Sequence, residues 1–214
     1  MNALPFAAIV HQLRGEFSAV RDLAESISVL STEHGLRQWA AFAKTLDRWF
    51  EAEIGGERAA IAALRQAIAD YRAPGNELYV PFFLGLLAET QLKHGDLADG
   101  LATIDGALAD TTQSGLWDAE FHRVKGDLLL ACDHTAEEGA ETAFRAAIEI
   151  ARQQRAKSWE LRAAVRLGRL WQRQGKHDEA LRLVKGVYDW FTEGYETADL
   201  RDARATLDEM SAAP

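Results

Sequence analysis

Residues 36–75, LRQWAAFAKTLDRWFEAEIGGERAAIAALRQAIADYRAPG, superpose without a gap on residues 76–115, NELYVPFFLGLLAETQLKHGDLADGLATIDGALADTTQSG. Trp39 falls on Tyr79, Phe42 on Phe82, Leu46 on Leu86, Gly55 on Gly95, Ile61 on Leu101 and Ile68 on Leu108. Within each block the apolar residues recur every three to four positions, the period of a helix with one buried face. Glycine breaks each block near its middle and again at its end. Each block therefore reads as helix, short turn, helix, longer turn.

The same ruler runs along the chain. End-of-helix signals fall at Gly35, Pro74-Gly75, Gly115, the Arg155-Ala156 junction and Gly194, with successive spacings of 40, 40, 40 and 39. A second set, Gly15, Gly55-Gly56, Gly95 and Gly175, lies between them, and Cys132 to Gly139 fill the missing place. The units run 1–35, with a shortened first helix, then 36–75, 76–115, 116–156, with a small insertion in its turn, and 157–194. Residues 195–214 are left for a terminal helix. With only four prolines, abundant Ala, Leu, Arg and Glu, and no sustained period of two, the expected class is all-α. The expected architecture is one domain, a right-handed superhelical solenoid of about five helix pairs with a period of about 40 residues, closed by a C-terminal capping helix.

The helix faces say why such units stack. In the last full unit Ala180, Leu181, Val184, Val187, Tyr188 and Phe191 form one stripe, and Leu183 and Trp190 widen it to about half the circumference. A stripe this wide needs both the partner helix and a helix of the adjacent unit to cover it. After Gly194, Leu200, Ala203, Leu207 and Met210 share one face of the terminal helix, and Arg201, Asp202, Arg204, Asp208 and Glu209 share the other, as an end cap requires. Thr197 is the expected N-cap, with Asp199 in the first turn. The aromatic cluster Tyr188, Trp190, Phe191 and Tyr195 is expected to be the junction between the last repeat and this cap.

The charge balance excludes broad classes of function. Against 24 basic residues stand 33 acidic ones, for a net charge of −9 and a pI near 5.2, which argues against general affinity for nucleic acid or anionic membranes. The single Cys132 cannot form an internal disulfide and suits a reducing cytoplasm. No apolar run approaches 18 residues and no basic segment precedes the short N-terminal one, so neither a membrane span nor a signal peptide is expected.

Paired helices, an aromatic residue early in the first helix, Gly in the tight turn and an Ala-Leu pair such as Ala180-Leu181 after it resemble tetratricopeptide repeats, in a variety about six residues longer than the standard unit. The segment FRAAIEIARQQRAKSWELRAAVRLGRLWQRQGKHDEALRLVKGVYDWFTEGYETADLRDARATLDEM, Phe144 to Met210, is similar to the C-terminal helical-repeat part of bacterial class III adenylate or guanylate cyclases and LuxR-type regulators with an ATPase module. That resemblance implies a sensing or partner-binding part without catalysis of its own. The catalytic motifs of that family are not matched. A phosphate-binding loop needs G-x-x-x-x-G-K-[ST], whereas six residues separate Gly168 from Gly175-Lys176, and His177 follows.

Other chemistry is weaker still. Cys132-Asp133-His134 lacks the further ligands of a metal site and reads as a turn with a buried or half-buried thiol. The six histidines, His11, His34, His94, His122, His134 and His177, are expected mostly at the surface near helix C-termini. The carboxylate pairs Glu51 and Glu53, Glu137 and Glu138, and Asp178 and Glu179 read as first-turn charges or solvated faces. Ser114, Asp118 and His122 lack the strand-turn-helix setting of a nucleophile. No cofactor is expected. The recurring aromatics Trp39, Tyr79, Trp117 and Trp159 are expected to pack in the core, while Trp49 and Phe50 are expected to be partly exposed.

One polar constellation stands out. Arg162, Arg166, Arg169 and Arg173 recur at i, i+4, i+7 and i+11 on one helix face. In a solenoid of this type that face lines the concave groove, where guanidiniums clamp a carboxylate-rich or phosphate-bearing partner. The competing reading pairs the row with acidic neighbours such as Asp118, Glu120 or Asp127. The functional expectation is a cytoplasmic, non-catalytic module of bacterial signalling that binds a protein or peptide. The alternatives are a regulatory fragment that holds a small effector and controls a cyclase or ATPase partner, and self-association through the ends of the array.

Overall fold

A computed structural model of the chain describes residues 3–55, 57–110, 115–133 and 135–212. Among these residues there are eleven α-helices and no strand: α1 Ala3–Leu13, α2 Phe17–Glu33, α3 Arg37–Gly55, α4 Arg58–Arg72, α5 Val80–Lys93, α6 Leu97–Ala109, α7 Asp118–Cys132, α8 Glu137–Gln154, α9 Lys157–Arg173, α10 His177–Tyr188 and α11 Ala198–Ala212.

The turns obey one rule. At Gly15, Gly35, Gly95 and Gly175 the backbone enters the left-handed region, with φ between 66° and 81°. At each, the glycine N–H and the next N–H donate back to the carbonyls of the preceding helix end: at Gly175, to Gln172 at 3.1 Å, and at Lys176, to Trp171 at 2.9 Å. This paired closure satisfies carbonyls that a helix end would otherwise leave without a donor. Arg155 makes the same two bonds, its own N–H to Arg152 and that of Ala156 to Ala151, at φ 57° and ψ 30°, although it carries a side chain.

The chain divides into two compact units, Met1–Thr103 and Ile104–Pro214, the boundary falling within α6. In the first, each of α1 to α4 packs on its successor, and α3 also touches α5. Aromatic rings fill this core. Phe42 meets Tyr79 edge-on with centroids 4.9 Å apart and Phe83 at 5.2 Å, and Tyr71 meets Phe83 at 5.3 Å. Such offset ring pairs combine large apolar burial with favourable quadrupole geometry. Trp49 belongs here as well: it is 2% exposed and packs edge-on against Phe17, contrary to the expected partial exposure. The reason is that Phe17 of α2 reaches across and covers the end of α3.

In the second unit α7, α8, α9, α10 and α11 pack in succession, and α9 touches both α7 and α11. The core joins Phe144, Ile148, Leu161, Leu167, Leu170, Val184 and Val187 to Leu200, Ala203, Leu207 and Met210 of α11. Two glycines set how closely the helices approach. A Cβ on Gly126 would lie 2.4 Å from the Phe144 ring, and one on Gly168 would lie 2.6 Å from Val184 Cγ2 and 3.1 Å from Met210 Cε. Tyr188 and Phe191 are partly buried against this core, whereas Trp190 stays 59% exposed, its ring edge-on to Phe191 at 5.2 Å. The outer face of α11, with Arg201, Asp202, Arg204, Asp208 and Glu209, is exposed. Thr197 does not cap α11 through its oxygen; its hydroxyl donates backward to the Gly194 carbonyl at 2.7 Å.

Candidate partner-binding face

The Arg row lies on α9 between α7 and α11, and its members have unequal fates. Arg162 donates from Nε to Asp199 of α11 at 2.9 Å and from Nη1 to Glu120 of α7 at 3.1 Å. Arg169 grips Asp202 of α11 with both terminal nitrogens, at 2.6 and 3.2 Å. Among the described residues Arg166 uses only Nε, donating to Asp127 Oδ2 at 3.2 Å, an oxygen that also accepts from Arg123 Nη1 at 3.0 Å. The Arg173 side chain is exposed and forms no ion pair among the described residues. Glu120 and Asp127 thus take up part of the row, and two carboxylates of the terminal helix, Asp199 and Asp202, take up more.

Burial separates structural from available charge. The side chains of Glu120 and Arg162 are 10% and 18% exposed, that of Arg166 is 40%. Arg123, inside α7, completes the network by donating to Glu120 from Nε and Nη2, the latter at 3.1 Å. Arg123, Arg162, Arg166 and Arg169 face Glu120, Asp127, Asp199 and Asp202, so the network is neutral in sum. Charges removed from water persist only when paired in this way.

The acidities follow from position. Burial pushes the Glu120 carboxyl up, but Arg123 and Arg162 together outweigh it and hold it below the ordinary range. Asp199 goes the other way, because burial and the nearby Glu120 charge exceed the pull of Arg162. Glu160, on the same helix but turned toward α8, is also held low: burial opposes ionisation, and hydrogen bonds from Lys157 at 2.6 Å and Arg152 at 2.8 Å overcome it. Each of these shifts belongs to an ion pair that joins helices.

At the N-terminal end of the row, Trp159 is half-buried and tilts against Trp117, with ring centroids 5.4 Å apart. Leu116 beside it is exposed, and Lys157 Nζ lies 5.8 Å from the Trp190 ring. Sequence periodicity placed these tryptophans as core. Their spacing of 42 residues, close to the 40 that brings Trp39 and Tyr79 to 6.0 Å, was the signal that equivalent aromatics meet across units.

The remaining candidates are dispersed. Cys132, the last residue of α7, is exposed rather than buried, while Leu129 and Leu130 of the same turn face the core. His34 and His94 cap helix C-termini, but His177 opens α10, and His122 sits inside α7, where burial lowers its basicity against the opposing pull of Asp118. His134 and Ser114 lie outside the described residues. Glu137, Glu138, Asp178 and Glu179 are first-turn charges of α8 and α10, while Glu53, near the end of α3, pairs with Lys93 at 2.5 Å. Among the described residues no group of three His, Cys, Asp or Glu side chains is placed to hold a metal ion, and no helix is long and apolar enough to cross a membrane.

No protein-family model and no curated protein matches the chain.

Proposed function

We propose that the chain is a tetratricopeptide-like helical-repeat module that binds a protein or peptide partner on the face formed by α7, α9 and α11. The observation that carries this reading is the division of the Arg row. Arg162 and Arg169 are spent on joining α7, α9 and α11, while the terminal nitrogens of Arg166 and the exposed guanidinium of Arg173 meet no acceptor among the described residues. Guanidiniums form forked bonds to carboxylate or phosphate, and their planar heads lose less freedom per bond formed than an ammonium does. The helix pairs that pack in succession within each unit support the repeat reading. The similarity of residues 144–210 to the repeat segment of bacterial cyclases and LuxR-type regulators supports a place in cytoplasmic signalling.

The test is capture of partners from a bacterial lysate on the immobilised chain, identified by mass spectrometry, with thermal-shift screening of nucleotides and metabolites alongside. A specific protein partner with no metabolite shift supports the module. A metabolite shift without a partner favours the small-effector alternative; a hundredfold excess over Kd would raise stability by about 2.7 kcal/mol.

A further inference from the structure

On the reading just proposed, the partner itself has a definable chemistry. Along α9, Trp159, Arg166 and Arg173 follow one another at intervals of seven residues, which places them on one face and separates them by about 10 Å and 21 Å of helix rise from Trp159. The first position is aromatic and half-buried, with exposed Leu116 and half-buried Trp117 beside it; the other two present guanidinium nitrogens without an acceptor among the described residues. From this juxtaposition we infer that the partner is an acidic peptide segment with an apolar anchor residue, the anchor seated on the Trp117/Trp159 pair and carboxylates meeting Arg166 and Arg173 in turn.

Three observations commit the face to this occupant. Arg169, between the two available arginines, is already neutralised by Asp202, so the positive charge is concentrated at two points and not smeared along the helix. Asp127, the acceptor of Arg166 Nε, also serves Arg123, and among the described residues both outer nitrogens of Arg166 are left for a second carboxylate. The tryptophan pair is already held ring against ring, so an apolar side chain adds area without ordering it. The protein as a whole carries −9, so an acidic partner would be held at these points by local charge against the field of the molecule, and its affinity falls as salt rises.

Panning a random linear peptide library against the full chain tests the inference, with R166Q/R173Q and the exposed-site control R182Q panned in parallel. Enrichment of acidic peptides with an aromatic or aliphatic anchor, lost with R166Q/R173Q and kept with R182Q, is the expected result. For a selected peptide, Kd by fluorescence anisotropy should then rise about tenfold or more in R166Q/R173Q. Replacing its carboxylates by amides should do the same, and changing its anchor to Ser should abolish the shift in tryptophan emission. Peptides of another composition, or acidic peptides that bind R166Q/R173Q equally well, would overturn the inference and leave a binding module with a different face. Enrichment of no peptide would overturn the module reading along with it. Circular dichroism melts of the double variant show that it folds.

Discussion

Arg155 performs a task that glycine performs at four other turns, and it does so at a cost. A residue with a Cβ in the left-handed region is disfavoured by about 1 kcal/mol, and the two turn bonds at Arg155 are the same as those at Gly175. Arg155→Gly should therefore raise the urea midpoint, by up to about 1 kcal/mol in stability, even though it removes a charged side chain. Within the helices the argument reverses. Gly168→Ala gains helix propensity but drives a methyl into Val184 and Met210, so a net loss of about 1–2 kcal/mol is expected. Gly186→Ala in α10 meets nothing within 4 Å and should stabilise by up to about 1 kcal/mol. Equilibrium unfolding of the two variants side by side checks both signs. The turn at Arg155 was legible from its place on the forty-residue ruler, but the crowding at Gly168 was not, because it depends on side chains of α10 and α11 that only packing brings together.

At the scale of elements, α11 decides what the Arg row means. The apolar stripe Leu200, Ala203, Leu207 and Met210 seats α11 on α9 and α10, as its spacing predicts. Its polar edge then delivers Asp199 and Asp202 to Arg162 and Arg169. Removing Arg162 strands Glu120, which keeps only Arg123, and Asp199 in poorly hydrated positions. Arg162→Met is expected to cost about 3 kcal/mol, as other half-buried pairs do when one partner is lost, whereas Arg173→Met should change stability by less than about 0.5 kcal/mol. Equal effects in urea titrations would show that the row is not divided as described. Helical periodicity exposed the four arginines as one stripe, yet it could not separate Arg162 from Arg173, since the acceptors of Arg162 lie 37 to 42 residues away along the chain.

Across the molecule, these carboxylates set the response to acid. Glu16, Asp70, Glu120, Glu141 and Glu160 have folded-state pKa values below their ordinary ones, so their contributions are complete above about 4.5 and are lost as pH falls through the lowered values. Asp47 and Asp199 are raised, mainly by burial; ionising them opposes folding, and that opposition is relieved as pH falls below their folded values. The lowered groups therefore lose stabilisation on acidification, and the raised ones oppose that loss. Glu160→Gln should flatten the fall in unfolding free energy between about pH 5 and pH 3, and Asp199→Asn should steepen it. Urea midpoints measured across that window test both slopes, and a steeper Glu160→Gln profile would contradict the ion-pair assignment at Arg152 and Lys157.

The sequence by itself determined the helical class, the positions of the turns and the inward faces, because each rests on local physics: helix period, glycine at left-handed closures, and apolar stripes too wide for one neighbour. Even the contact between equivalent aromatics, Trp117 with Trp159 and Trp39 with Tyr79, follows from a repeat of about forty residues. Only the tertiary structure decided which charges are spent and which are available. Arg162, Arg166, Arg169 and Arg173 are alike in sequence; what distinguishes them is whether Glu120, Asp127, Asp199 or Asp202 arrives within hydrogen-bonding distance, and that depends on how α7 and α11 dock against α9. Coulomb energy and desolvation change steeply over a few ångströms, so they answer to three-dimensional neighbours and not to spacing along the chain.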